Sequence, residues 1–160
     1  MSTVQSFIQN REFSACSPDG RIRLTISANT VAIDIESDIN DSYSEENFDQ
    51  HLESVLRDVA IQMWETSPPS SRKNDVRSQS DNAKYTLIEG LEVTAVSPTG
   101  RITIDWLGVS DFVVTSKPGT LAISGADLTR ELQMGIRLLF ALRHQATLQL
   151  YNAAKQNFGR

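Results

Sequence analysis

Hydrophobic and polar residues alternate along Ile22, Leu24 and Ile26 against Arg21, Arg23 and Thr25, and again along Val31, Ile33 and Ile35. A period of two turns one side of a strand toward a core and the other toward water. Ala28-Asn29 separates the two stretches and favours a turn, so they are read as neighbouring strands. Ahead of them, Ser17-Pro18-Asp19-Gly20 is a strong turn signal. Its proline presets the backbone for the first central position, aspartate suits the second and glycine follows at the fourth. From Phe48 the period changes. Phe48, Leu52, Val55, Leu56, Val59 and Met63 recur at three- and four-residue steps and form the apolar stripe of a helix whose opposite face is charged. Ser44 precedes Glu45, Glu46 and Asn47, where its side chain can cap the free amides of the first turn.

The same order of elements returns eighty residues later, without a gap. Residues 12–22 align with residues 92–102 with seven of eleven positions identical, including Ser97-Pro98 and Gly100-Arg101-Ile102. Ala32-Ile33-Asp34-Ile35 falls on Phe112-Val113-Val114-Thr115, and Ser44, Leu52 and Arg57 fall on Ser124, Leu132 and Arg137. Ile102, Ile104 and Trp106 repeat the strand alternation, and Ser124 repeats the cap. The second helix carries Leu128, Leu132, Ile136, Leu139 and Phe140 and is apolar over more of its circumference around Leu138–Leu142, which predicts burial on more than one side. It reads as far as Asn157, about 45–50 Å at about 1.5 Å per residue.

A register kept through strands, loop and helix indicates duplication of a whole folding unit. The expected fold is α+β: two tandem β-β-β-α repeats forming a pseudo-dimer, their strands joined into one antiparallel sheet with both helices on its apolar face. The first repeat spans residues 1–65, a flexible linker 66–84, and the second repeat with its extended helix 85–160. The linker has almost nothing to bury, and as a coil it reaches on the order of 25 Å, enough for side-by-side docking. A unit near sixty residues is marginal alone, so each copy is expected to need the other.

Composition adds a soluble globular character, with 39% hydrophobic and 22% charged residues. The longest wholly apolar run, Leu138–Leu142, is far short of the roughly 20 residues of a membrane span. Met1–Ser6 has neither the basic flank nor the apolar stretch of a secretory signal, and the lone Cys16 cannot form an internal disulfide; both lead to an expected cytosolic location. The net charge of −5 is uneven: residues 1–65 carry −8, residues 66–85 carry +2 and residues 86–160 carry +1. The acidic first copy is either an interaction face or a means by which the copies attract each other.

No constellation of catalytic type accompanies the repeat, and the chain is read as non-enzymatic, without cofactor, metal or small-molecule substrate. His51 and His144 have no second His or Cys at ligand spacing. Cys16 aligns with Val96 and reads as a small apolar strand residue. Gly20, Gly100 and Gly119 belong to turns and form no phosphate loop. Asp34, Glu36, Asp38 and Asp41 read as a solvated acidic rim without calcium-loop spacing. One polar pattern stands out on the second helix: Arg130, Arg137 and His144 at seven-residue intervals, with Arg143 adjacent. It is either a contact for phosphates or an acidic partner, or a solvated face bearing intramolecular salt bridges. The apolar surface Leu138–Tyr151, with Leu138, Leu142 and Tyr151, is the matching candidate for a protein partner or self-association into a dimer.

The order Ser-Pro-Asp-Gly turn, alternating strand, second alternating strand and capped helix resembles the YbaB/EbfC family of small nucleoid-associated proteins, whose three-stranded sheets join across a dimer. It is also similar to the YbaB-like accessory proteins of actinobacterial type VII secretion, the EspL and EspH group. The resemblance covers roughly 12–65 and 92–157. It departs from the single-copy family in having no long helix before the first strand, since residues 1–11 are too few. From the secretion-associated group the resemblance implies a cytosolic protein-binding or assembly module. From the nucleoid-associated group it implies DNA binding, for which the Arg130–Arg137–Arg143 side is the candidate.

Overall fold

The computed structural model describes residues 12–27, 30–36, 39, 43–66 and 88–158, with the side chains beyond 153 excepted. The expected turn at 28–29, residues 1–11 and all but Thr66 of the expected linker lie outside these residues. The elements run β1 (Phe13–Cys16), β2 (Ile22–Ser27), β3 (Thr30–Ile35), α1 (Glu45–Glu65), β4 (Glu92–Val96), β5 (Ile102–Leu107), β6 (Asp111–Ser116) and α2 (Gly125–Phe158). A single turn of 3-10 helix, Thr120–Ala122, leads into α2. The α+β class and the twofold β-β-β-α order are those the hydrophobic periods predict.

Repetition extends to single hydrogen bonds. In the first turn the Gly20 amide donates to Ser17 O and the Ile22 amide to Ser17 Oγ; in the second, Gly100 and Ile102 donate to the same two atoms of Ser97, all within 2.8–3.1 Å. Gly20 and Gly100 have φ of 75° and 77°, a left-handed conformation that a side chain disfavours. Both helix caps form as the serines predict, with Ser44 Oγ accepting from Asn47 N at 3.2 Å and Ser124 Oγ from Asp127 N at 3.1 Å.

The gapless offset fails at one place, the third strand. β2 and β3 pair with Ser27 opposite Thr30, whereas β5 and β6 pair with Leu107 opposite Asp111, so the second hairpin loop is one residue longer. Leu24 faces Ile33 in the first sheet and Ile104 faces Val114 in the second, so the equivalent of Ile33 is Val114 and not Val113. Burial agrees, since Ile33 and Val114 are in the core while Val113 is exposed. The extra residue lies in Gly108–Ser110, where Gly108 takes φ 63° and its amide donates to Leu91 O at 2.8 Å. A one-residue slip in a strand exchanges its faces, so burial of Phe112 and Val114 requires this insertion.

The strands form two three-stranded antiparallel sheets, β1-β2-β3 and β4-β5-β6, and are not joined into one. Helix packing, not strand pairing, connects the two sheets. Each helix packs on the first two strands of its own sheet and on the third strand of the other: α1 on β1, β2 and β6, and α2 on β4, β5 and β3. One core results, in which Ile22, Leu24 and Phe48 of the first copy share a cluster with Ile104, Leu132 and Leu139 of the second.

At the β6 edge the packing becomes a ladder of carboxylates. Glu53 Oε2 accepts from Val114 N at 2.8 Å, Asp49 accepts from the amide of Ser116 at 3.2 Å and from its hydroxyl, and Glu45 Oε1 accepts from Gly119 N at 3.0 Å. Four residues of helix rise about 6 Å and two residues of strand about 6.7 Å, so Asp49 and Glu53 reach alternate amides of β6, while Glu45 reaches Gly119 three residues past the end of the strand. A strand edge that would otherwise pair with another strand is thereby satisfied by a helix. Part of the acidic excess of the first copy is thus used inside the molecule, on backbone amides of the second. The positions equivalent to Glu45, Asp49 and Glu53 in α2 are Gly125, Thr129 and Gln133, so the ladder has no acidic counterpart there.

Candidate docking surface on the long helix

α2 has 34 residues against 21 in α1, and its inward stripe is Leu128, Leu132, Ile136 and Leu139, all fully buried. Gly135 lies against the second turn, where a Cβ would meet Ser97 Cα at 3.6 Å. Glu131, 5% exposed, ties the same turn to the helix by accepting from the amide and hydroxyl of Thr99 and, at 3.3 Å, from Ser97 Oγ. In the first copy His51 occupies the equivalent place and stacks on Tyr43, ring centroids 4.8 Å apart, while Tyr43 donates to Asp19 of the first turn. Burial opposes ionisation of Asp19, but the hydroxyls of Ser17 and Tyr43 and the Arg21 amide outweigh it and hold its carboxyl down to about 2. Each copy therefore latches its turn to its helix, with the carboxylate on the turn in one and on the helix in the other.

Arg130, Arg137 and His144 all lie exposed on the outer side of α2, as the sevenfold spacing predicts. Arg143 does not join them. Adjacent residues on a helix point about 100° apart, which carries Arg143 inward while His144 faces water. Arg143 is 9% exposed as a whole, and its guanidinium stacks 4.4 Å from the centroid of Trp106, which also packs against Phe112 and Phe140. Nη1 of Arg143 has no hydrogen-bond partner, and burial lowers the guanidinium pKa to about 10. Arg143 belongs to the packing of the second sheet and is withdrawn from the basic stripe.

The apolar candidates divide in the same way. Leu138 is exposed, whereas Leu142 is half-buried against the core and Tyr151 is half-buried, so Leu138–Tyr151 is not one open surface. The open surface is formed instead by Met134, Leu138 and Leu148, each 45–50% exposed, with Ala141 and Gln145 between them. These five positions follow each other by four, three, four and three residues and make a straight seam on the outer face. Met134 carried a legible signal, whereas Leu148 lies past the end of the part of α2 that aligns with α1. Once the residues aligned with the buried stripe of α1 are set aside, the surplus apolar side chains of α2 include Met134 and Leu138, where α1 has Ser54 and Asp58.

Elsewhere the described residues offer less. Cys16 is exposed beside Arg23 across the β1–β2 ladder and is not packed, a correction to its reading as an apolar strand residue. Asp34 and Glu36 line a shallow groove with Arg21 and Arg23, in which acid and base balance. No group of three His, Cys, Asp or Glu among the described residues could hold a metal ion, and no helix among them is long and apolar enough to cross a membrane. No family model, curated protein or solved structure matches the chain.

Proposed function

We propose that this protein is a non-enzymatic binding or assembly module of the cytosol, which holds a protein partner on the outer face of α2. The observation that carries the proposal is the seam of Met134, Leu138 and Leu148, half exposed on a helix whose inward stripe is already buried. Contiguous apolar surface left in water marks an interaction site. The resemblance to YbaB-like secretion accessory proteins favours the same reading, as a possession of fold without chemistry.

The second reading, a nucleoid-associated DNA binder, draws on the exposure of Arg130, Arg137 and His144 on that face. It is weakened by the loss of Arg143 to the interior and by the net charge of −5. Phosphate binding needs several cations on one surface, and three exposed side chains, one of them histidine, supply little. A photo-crosslinking residue at position 141, with one at position 94 as control, tests the choice in the native extract. Protein adducts specific to position 141, indifferent to nuclease and lost with Leu138→Glu, are expected. Adducts to nucleic acid alone, or equal labelling from both positions, refute the protein-binding reading.

A further inference from the structure

We infer that the occupant of the α2 outer face is an acidic amphipathic helix of a different protein, an inference that rests on the protein-binding reading above. The seam has the alternation of a coiled-coil edge, with Leu138 and Gln145 at one type of core position and Met134, Ala141 and Leu148 at the other. Arg130, Arg137 and His144 then form a single row along one flank. The other flank starts with Gly135, buried against the Ser97 turn, and continues with half-buried Leu142, so a partner must lie on the basic side.

Charge then selects among occupants. Between residues 128 and 153 the only acidic side chain is Glu131, and it is turned inward on the Thr99 turn. Two α2 helices of separate copies, packed antiparallel, set this basic row against itself. Packed parallel, they set it against Gly135, Leu142 and Gln149, which offer no carboxylate. Of the acidic side chains of α1, Glu45, Asp49 and Glu53 are engaged on the second sheet, and the exposed Glu46, Asp58 and Glu65 stand beside a single exposed large apolar side chain, Ile61, so α1 of a second copy offers charge without a matching seam. Residues 1–11 and 66–85 are basic on balance and give no complement from the chain itself. A helix presenting apolar residues at the seam and carboxylates along one flank satisfies both features.

Fluorescence anisotropy on the full chain with two synthetic helices of about three heptads tests this. Both carry leucine at the seam positions, one with glutamate and the other with lysine on the flanks. The glutamate peptide is expected to bind at least about tenfold more tightly than the lysine peptide, with the difference shrinking between about 50 and 200 mM salt. Arg137→Glu should erase that preference and Leu138→Glu should abolish binding, each with the melting temperature of the parent. Equal affinities, a lysine preference, or no binding of either peptide would overturn the inference. So would a sedimenting dimer of the chain that Leu138→Glu dissociates, which assigns the face to a second copy. A lysine preference removes the acidic partner but leaves α2 a protein-binding face, whereas crosslinks from position 141 to nucleic acid alone remove both.

Discussion

Truncating Glu53 to alanine removes the carboxylate that accepts from Val114 N at 2.8 Å and so opens one end of the ladder joining α1 to β6. Val114 is 4% exposed, and its amide has no alternative acceptor within the β5–β6 ladder because it points away from β5. Hydrogen bonds to charged groups contribute roughly 1.5–3 kcal/mol, and an amide left buried and unpaired costs about 1–3 kcal/mol. A loss of about 2 kcal/mol is therefore expected for Glu53→Ala. In a chain of this size each kcal/mol moves the melting temperature by about 2–4 °C, which gives a fall of roughly 4–8 °C. Glu53→Gln keeps an acceptor oxygen and should lose less than half as much. Calorimetry reads the first quantity, and amide exchange localises it: protection should fall at Val114 and Ser116 before it falls in β1 or β2. Exposed Glu65→Ala, on the same helix, is the control. A melting temperature for Glu53→Ala within about 1 °C of the parent, or unchanged exchange at Val114, would refute the ladder as the tie between the copies.

Further outcomes follow from the same geometry. Leu132 is fully buried in the shared core, so Leu132→Ala should cost about 2–5 kcal/mol in chemical denaturation. The fragment 1–65 keeps β1 and β2 against α1 but lacks β6 and the α2 that packs on β3, and should be unfolded or self-associated; a monomeric, cooperatively melting fragment contradicts the single core. Asp19 is held at about 2, below its ordinary value, so its ionisation favours the fold above about pH 4 and that contribution is lost as pH falls toward 2. Asp19→Asn should flatten this limb of the acid denaturation curve. Asp49 has the opposite sign, because burial raises its pKa despite the bonds from Ser116, and its ionisation opposes folding as pH rises through that raised value. Duplex DNA should not bind at physiological salt and low micromolar protein; a sub-micromolar complex, sensitive to salt and lost in the Arg130→Ala, Arg137→Ala double variant, would reverse the functional ranking.

Local pattern determined much of this protein. Ser17-Pro18 with Gly20, and Ser97-Pro98 with Gly100, specify their turns through backbone preferences that act over four residues. The alternations through Ile22–Ile26 and Ile102–Trp106 and the stripe from Phe48 to Val59 specify which sides are buried, because period and burial are linked within each element. The sevenfold row of Arg130, Arg137 and His144 was likewise legible, since a helix alone places these residues on one side.

Relations between elements were decided only by the tertiary structure. The offset of eighty concealed a one-residue insertion at Gly108–Ser110, because Val113 and Val114 are both apolar and either suits the pattern until pairing with Ile104 buries one of them. The acidic excess of the first copy left an interaction face and attraction between the copies equally open; the role of Glu45, Asp49 and Glu53 as acceptors depends on backbone amides more than sixty residues away. Arg143 and Leu142, grouped with the outer face by adjacency, were turned inward by Trp106 and the core. A sequence fixes a side chain's direction relative to its own helix, but which direction meets water depends on what packs against that helix, and here each helix is covered by strands from both copies.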